Sequence, residues 1–210
     1  SDSDPAALDF WSFDIGGDGY ETHWHFNDPL KMMGGFQFNG LQRSLDGGGS
    51  WSSAIGPIDY GSGNAPFITK IASSHESPDD VYAVGVSGVW HSDDFGANWT
   101  LGSVDAGAWA FSSFIDVRVS RADADIVWAG ASVEDPYRIQ VSTDAGANFS
   151  PTAGYGAATL GGISGLATHP TDPNTAYVMF SFAERPKILR TTDLGATWTD
   201  ISGFGGGTTS

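Results

Sequence analysis

Short stretches in which apolar and polar residues alternate succeed one another along the chain, broken by clusters of Gly, Pro, Asp, Asn and Ser. A period of two over a few residues is the mark of a half-buried strand, and those clusters supply turns. Residues 20–26 read as a first strand, closed by N-D-P at 27–29; residues 32–38 and 41–44 follow, with a fourth strand opening at Trp51. The order then recurs. Residues 67–73, 81–86 and 89–92 form the next set, with a hairpin at Ser87 and Gly88; residues 114–119, 126–132 and 138–142 form the third; residues 163–168, 176–182 and 188–191 form the fourth. No window shows a helical period. The pattern predicts an all-β chain of four-stranded antiparallel units over 20–62, 63–110, 111–160 and 161–210. A lead-in over 1–19 carries Phe10, Trp11 and Phe13 as candidate strand residues.

Each unit ends its third strand on the same stretch. The four copies are S-L-D-G-G-G-S-W (44–51), S-D-D-F-G-A-N-W (92–99), S-T-D-A-G-A-N-F (142–149) and T-T-D-L-G-A-T-W (191–198). Their aspartates, Asp46, Asp94, Asp144 and Asp193, are 48, 50 and 49 residues apart. So regular a period in a strand-rich chain indicates repeat architecture. A carboxylate two residues after a hydroxyl can accept hydrogen bonds from the N–H groups of its own turn. Gly48, Gly96, Gly146 and Gly195 fall where a positive φ is expected, which only glycine adopts cheaply. The aromatic at the end is expected to begin the outgoing strand and to bury its face against the neighbouring unit. Local capping accounts for the four aspartates as structural residues, ahead of catalysis or metal binding.

These stretches resemble Asp-boxes, the bacterial neuraminidase repeats. Such boxes occur in sialidases, sortilin-type receptor domains, xyloglucanase-type glycoside hydrolases and photosystem II assembly factors. The resemblance implies β-propeller blades in which each box joins the third and fourth strands. It does not choose a function, because the families that share the box do different things. Propellers typically have 4–8 blades, and the families resembled usually close with six or more. Four blades are thus expected to be part of a larger propeller. Three readings stay open: a piece of a longer propeller chain, closure by pairing with another copy or subunit, and a small ring closed by this chain alone.

Composition narrows the partners. Asp and Glu number 25 against 9 Lys and Arg, a net charge of -16. Phosphate backbones need basic surface, and anionic membranes attract it, so nucleic acid is not expected as a partner and adhesion to anionic membranes is disfavoured. No run approaches the roughly 18 apolar residues of a membrane helix, and S-D-S-D-P-A-A at the start lacks the regions of a signal peptide. The expectation is a soluble chain, either mature or cut from something longer. Cysteine is absent, so disulfides and thiolate chemistry play no part. The resemblance places the chain outside the cell, on its surface or in the periplasm. No cofactor is implied, although an acidic surface can attract Ca²⁺.

Candidate chemistry gathers near the beginning. Asp18, His23 and His25 lie close in sequence, and histidines at i and i+2 share one strand face. Imidazole and carboxylate are common zinc ligands, but no third ligand is placed, and the alternative is a polar face lining the channel. Gln37 and Asn39 alternate with Phe36 and Phe38 in G-G-F-Q-F-N-G, so both amides are expected on one face, either binding a sugar or peptide or bonding across strands. The stretch resembles the G-G-x-Q-x-N-G hairpins of exported bacterial propellers. Glycoside hydrolysis needs two carboxyls about one bond, and the sequence offers Asp14 with Asp18, Asp79 with Asp80, and Glu134 with Asp135. In xyloglucanase-like enzymes a catalytic aspartate lies in an early R-T-D-x-G-G hairpin, where this chain has the carboxylate-free G-G-F-Q-F-N-G. The R-I-P motif of sialidases is absent, and Arg43, Arg138 and Arg190 stand just before boxes. The reading reached is a secreted or cell-surface scaffold and binding module for glycan or protein. The alternatives are a glycoside hydrolase completed by further blades and an assembly factor within a larger complex. Aromatic platforms such as Trp24 or Trp109 beside a carboxylate pair would favour the hydrolase.

Overall fold

The computed structural model describes residues 15–155, 161–181 and 188–203. Phe10, Trp11, Phe13, Asp14 and Phe182 lie outside the described residues. Among the described residues sixteen strands form four four-stranded antiparallel sheets, and there is no helix. Sheet 1 contains β1 (Tyr20–Trp24), β2 (Met32–Phe36), β3 (Gly40–Ser44) and β4 (Ser52–Ser53). Sheet 2 contains β5 (Ile71–Ser73), β6 (Val81–Gly85), β7 (Gly88–Ser92) and β8 (Thr100–Leu101). Sheet 3 contains β9 (Asp116–Val119), β10 (Val127–Gly130), β11 (Gln140–Ser142) and β12 (Ser150–Pro151). Sheet 4 contains β13 (Gly165–Thr168), β14 (Ala176–Met179), β15 (Ile188–Thr191) and β16 (Thr199–Asp200). In every sheet the strands pair in chain order, as an up-and-down meander.

Three apolar cores lie between consecutive sheets. Met33 and Leu41 of sheet 1 meet Ile71, Val81, Ala83 and Trp99 of sheet 2. Tyr82, Val84 and Val89 of sheet 2 meet Val117, Val127, Ala129 and Phe149 of sheet 3. Trp128 and Ile139 of sheet 3 meet Leu166, Val178, Leu189 and Trp198 of sheet 4. The alternation of the sequence explains this arrangement. Successive side chains of a strand point to opposite faces, so Val81 and Ala83 face sheet 1 while Tyr82 and Val84 face sheet 3. Both faces of β6 and β10 are therefore buried, and these strands read as continuous apolar runs.

The strands are shorter than the alternation suggests. Each fourth strand has two residues and starts one position after the box aromatic, because Trp99, Phe149 and Trp198 are drawn inward to the preceding sheet. The strand expected over 32–38 stops at Phe36: Phe38 and Asn39 take φ of 60° and 59° and make the β2–β3 turn. Gln37 and Asn39 therefore share no strand face. Residues 67–70 and Phe114 precede their strands rather than opening them. The hairpin of sheet 2 turns on Val86 and Ser87, with Gly85 paired to Gly88.

Candidate functional site

The four aspartate turns are built alike. The Ser142 hydroxyl accepts from the N–H groups of Asp144 (3.2 Å) and Gly146 (2.9 Å), and it donates to Asp144 Oδ1 (2.7 Å). Asp144 in turn accepts from the Asn148 N–H and side-chain amide. Ser44 with Asp46, Ser92 with Asp94 and Thr191 with Asp193 repeat the pattern. Every oxygen of these carboxylates is occupied by the turn itself. The Ser50 hydroxyl, with the Ser50 N–H and the Ser44 hydroxyl, holds Asp46 down to about 2. Asp144 and Asp193 are lowered chiefly by the side chains of Asn148 and Thr197. For Asp94 partial burial acts upward, but the bonds from Asn98, Ser92 and Ala97 outweigh it.

The sequence leaves two features of the turn hidden. The hydroxyl, not the carboxylate, is the buried member and caps the buried glycine N–H. The residue before the glycine is also left-handed, with φ of 54–55° at Phe95, Ala145 and Leu194. That conformation costs a non-glycine residue roughly 1–2 kcal/mol. It is held by a bond from its N–H to the loop between the first two strands of its own sheet, at Asp79, Asp125 and Asn174.

The end of the molecule that carries the β2–β3 turn presents an exposed aromatic group. Phe67 is 42% exposed and packs edge-on against Tyr20 (5.5 Å) and Phe38 (5.3 Å), both half-buried. Tyr60 and Ile68 are exposed beside Phe38 and Phe67 in the chain segments that bond to the turn. The turn is tied into sheet 2: Phe38 N–H donates to Pro66 O, Asn39 N–H to Thr69 Oγ1, and Thr69 Oγ1 to Phe36 O. A left-handed phenylalanine is costly, and these bonds hold Phe38 in place with its ring beside Phe67.

Gln37 sits at the rim of this group, where its side-chain oxygen accepts from the Asp18 N–H (3.2 Å). Asp18 is exposed. Asn39 is buried and spends its side-chain N–H groups on Asp59 O and Val84 O, bracing sheet 1 against sheet 2. Asp59 accepts from the Ser87 N–H and hydroxyl and from Trp90 Nε1, so it closes the hairpin of sheet 2. Trp109 is buried and donates to Gly85 O; it is no platform. Trp24 is 58% exposed, on the face of sheet 1 turned away from sheet 2.

His23 and His25 lie on the side of sheet 1 that faces sheet 2, with rings 5.9 and 5.5 Å from that of Phe95. His23 Nδ1 is 3.3 Å from Ser73 Oγ, and His25 Nε2 is 3.3 Å from Asp79 Oδ1, which also holds Lys31 at 2.6 Å. Burial, then the neighbouring His25 and His75, brings His23 down to about 4. The pair packs between blades with Asp79 as neighbour. Among the described residues no three His, Asp or Glu side chains gather as ligands. Of the carboxylates paired in the sequence, Asp79 is engaged with Lys31, Asp80 with His91 (2.6 Å) and Asp135 with Arg138 (2.9 Å), while Asp14 lies outside the described residues. Arg43 donates to the carbonyls of Asp94 and Phe95.

No family model matches the chain. It is 30% identical over 159 residues to a xyloglucanase of Hypocrea jecorina, a stretch that covers 76% of this chain and 16% of that protein. Among solved structures it resembles a GH74 enzyme from Niastella koreensis, with a TM-score of 0.58 at 19% identity over 86% of this chain and 24% of that one. An ancestral GH74 enzyme gives 0.63 at 18% identity over 90% and 27% of the two chains. YCF48 bound to D1 peptide gives 0.57 at 14% identity over 86% and 54%. The chain thus has the fold of β-propeller blades and spans about a sixth of the curated relative it matches.

Proposed function

We propose that the chain is an arc of a larger, exported propeller and acts as a binding module, with an extended β-linked glycan as its ligand. The supporting observation is the exposed aromatic group Phe67, Phe38 and Tyr20, held rigidly at one end. Aromatic faces stack on the C–H faces of sugar rings, and a fixed ring loses little entropy on binding. The neighbouring Asp18 and Gln37 supply polar atoms for sugar hydroxyls. The likeness to a xyloglucanase makes xyloglucan the first ligand to test. Titration calorimetry with xyloglucan oligosaccharides is expected to show binding that Phe67→Ala weakens at least about tenfold, or 1.4 kcal/mol. Equal binding by the wild type and Phe67→Ala would remove the aromatic group as the site.

The same likeness favours a second reading, a glycoside hydrolase whose acidic pair is completed by blades beyond this segment. Asp79, Asp80, Asp116 and Asp135 each have a basic partner and Asp59 is capped, which leaves Asp18 as the exposed carboxylate beside the aromatic group. Release of reducing ends from xyloglucan, abolished by Asp18→Asn, would decide for the hydrolase. Binding of a peptide in place of glycan would decide for an assembly role.

A further inference from the structure

The residue just before the turn hydroxyl holds the same register position in each sheet, and in the first three sheets it is Arg43, His91 and Val141. Between sheets 1 and 2 Arg43 spans the interface, where its Nη1 donates to the Asp94 and Phe95 carbonyls of the next turn (3.2 and 3.3 Å). Between sheets 3 and 4 Val141 packs against the shared apolar core. Between sheets 2 and 3 His91 does neither. Its ring lies flat on that of Tyr82, with 4.5 Å between centroids and 8° between planes, and its Nε2 is 2.6 Å from Asp80 Oδ1 in the loop before β6. Tyr82 makes the contact between the sheets instead. A Cβ on Gly146 would lie 2.7 Å from Tyr82 Cε1, and the Tyr82 hydroxyl donates to Ala145 O (3.1 Å).

A cleft of about 260 Å³ is left where a longer side chain at His91 would run. His91, Asp93, Thr100 and Leu101 line it from sheet 2, and Gly146 and Ala147 from the turn of sheet 3. Both sheets are internal to the chain, and every strand of each is described. Pockets for drug-sized ligands run to about 300–1,000 Å³, so this one suits a single side chain. Asp93 is exposed, and among the described residues no basic side chain pairs with it. The amide of Asn98, also on the wall, is spent on Asp94 Oδ2 (2.6 Å). Asp80 offsets any charge that His91 takes up.

We propose that this cleft receives the guanidinium of an arginine side chain from a partner protein. The molecule carries its own template for the occupant: one interface away the same position holds Arg43, whose guanidinium lies against the turn of the next sheet. Asp93 takes the incoming group as a bidentate pair, a geometry that a planar guanidinium meets and an ammonium does not. The Thr100 hydroxyl adds an acceptor, and Leu101 offers apolar surface to the stem of the side chain. The net charge of -16 draws cationic partners from a distance. His91 and Asp93 stand at the box end of β7, the far end from the β6–β7 turn and so from the end that carries Phe38 and Phe67. Glycan binding at that other end is neither required nor blocked.

The test is a titration of the full chain with N-acetyl-arginine amide, followed through backbone amide signals by heteronuclear NMR. The neutral isostere N-acetyl-citrulline amide and N-acetyl-lysine amide are the controls. The arginine compound is expected to shift the signals of Asp93, Thr100 and Ala147 saturably, the lysine compound to bind more weakly and the citrulline compound not at all. Asp93→Asn alters an exposed side chain, so it is expected to keep the wild-type circular dichroism while weakening binding at least about tenfold. Asp18→Asn removes the same charge at the far end and is expected to leave binding unchanged. His91→Arg supplies from within what Arg43 supplies to its own interface, and is expected to fill the cleft and abolish the shifts. Equal shifts by the citrulline compound overturn the proposal, as do equal losses in Asp93→Asn and Asp18→Asn, or a folded His91→Arg variant that still binds. Equal affinity for the lysine compound overturns it too, because the site is then only a point of negative charge. Glycan calorimetry reads the other end of the molecule, so the two readings fail separately.

Discussion

At the scale of single residues the turn hydroxyl carries more than the aspartate that marks the repeat. Ser142 is buried and caps the buried Gly146 N–H. Ser142→Ala leaves that donor unpaired, which costs about 1–3 kcal/mol, whereas water can replace the exposed carboxylate in Asp144→Ala. Urea unfolding is expected to show the larger loss for the serine. Acid acts in two windows. His23 titrates at about 4 in the fold, below its ordinary value, so the unfolded chain binds the extra proton first and stability declines as pH falls from 6.5 to 4. The turn carboxylates are lowered, so their contribution is full above the unfolded value of ~3.9 and is lost as pH falls toward the folded one, about 2 for Asp46. Urea midpoints measured against pH are expected to fall in both windows, and His23→Gln is expected to flatten only the upper one.

At the scale of elements the glycine of each turn does two things that separate by position. It takes a positive φ, and in three turns it also admits the preceding sheet. Gly146→Ala meets both penalties, left-handed strain and collision with Tyr82, and is expected to cost about 2–4 kcal/mol. Gly48→Ala meets only the first, about 1–2 kcal/mol, because among the described residues its Cβ would meet nothing nearer than Met32 Sδ at 3.9 Å. Chemical denaturation of the two variants checks the difference. Equal losses would show that backbone strain alone decides, and that close approach between sheets adds nothing.

At the scale of the whole molecule the net charge of -16 works against compactness. Like charges on a folded surface repel, and added salt screens them over about 8–10 Å. Raising sodium chloride from low to physiological strength is expected to raise the melting temperature, and an equal osmolarity of a neutral sugar gives the control for excluded volume. No change with salt would mean that local pairing, such as Lys31 with Asp79 and Lys70 with Glu21, already balances the field.

The all-β character and the fourfold repeat were legible in the chain because strand alternation and turn chemistry are local. The hydroxyl, the aspartate and the glycine fall within five residues of one another, and their hydrogen bonds close over the same span. What the chain could not display is anything that depends on which sheet lies beside which. Gln37 and Asn39 look alike in an alternating run, yet a left-handed turn sends Asn39 into the contact with sheet 2 and leaves Gln37 at the rim. Trp24 and Trp109 are equally aromatic, and only packing between sheets exposes one and buries the other. Phe67 joins Phe38 and Tyr20 across separations that no local pattern spans. Burial is a property of two surfaces, and a sequence writes only one of them at a time; tertiary structure alone set the aromatic end.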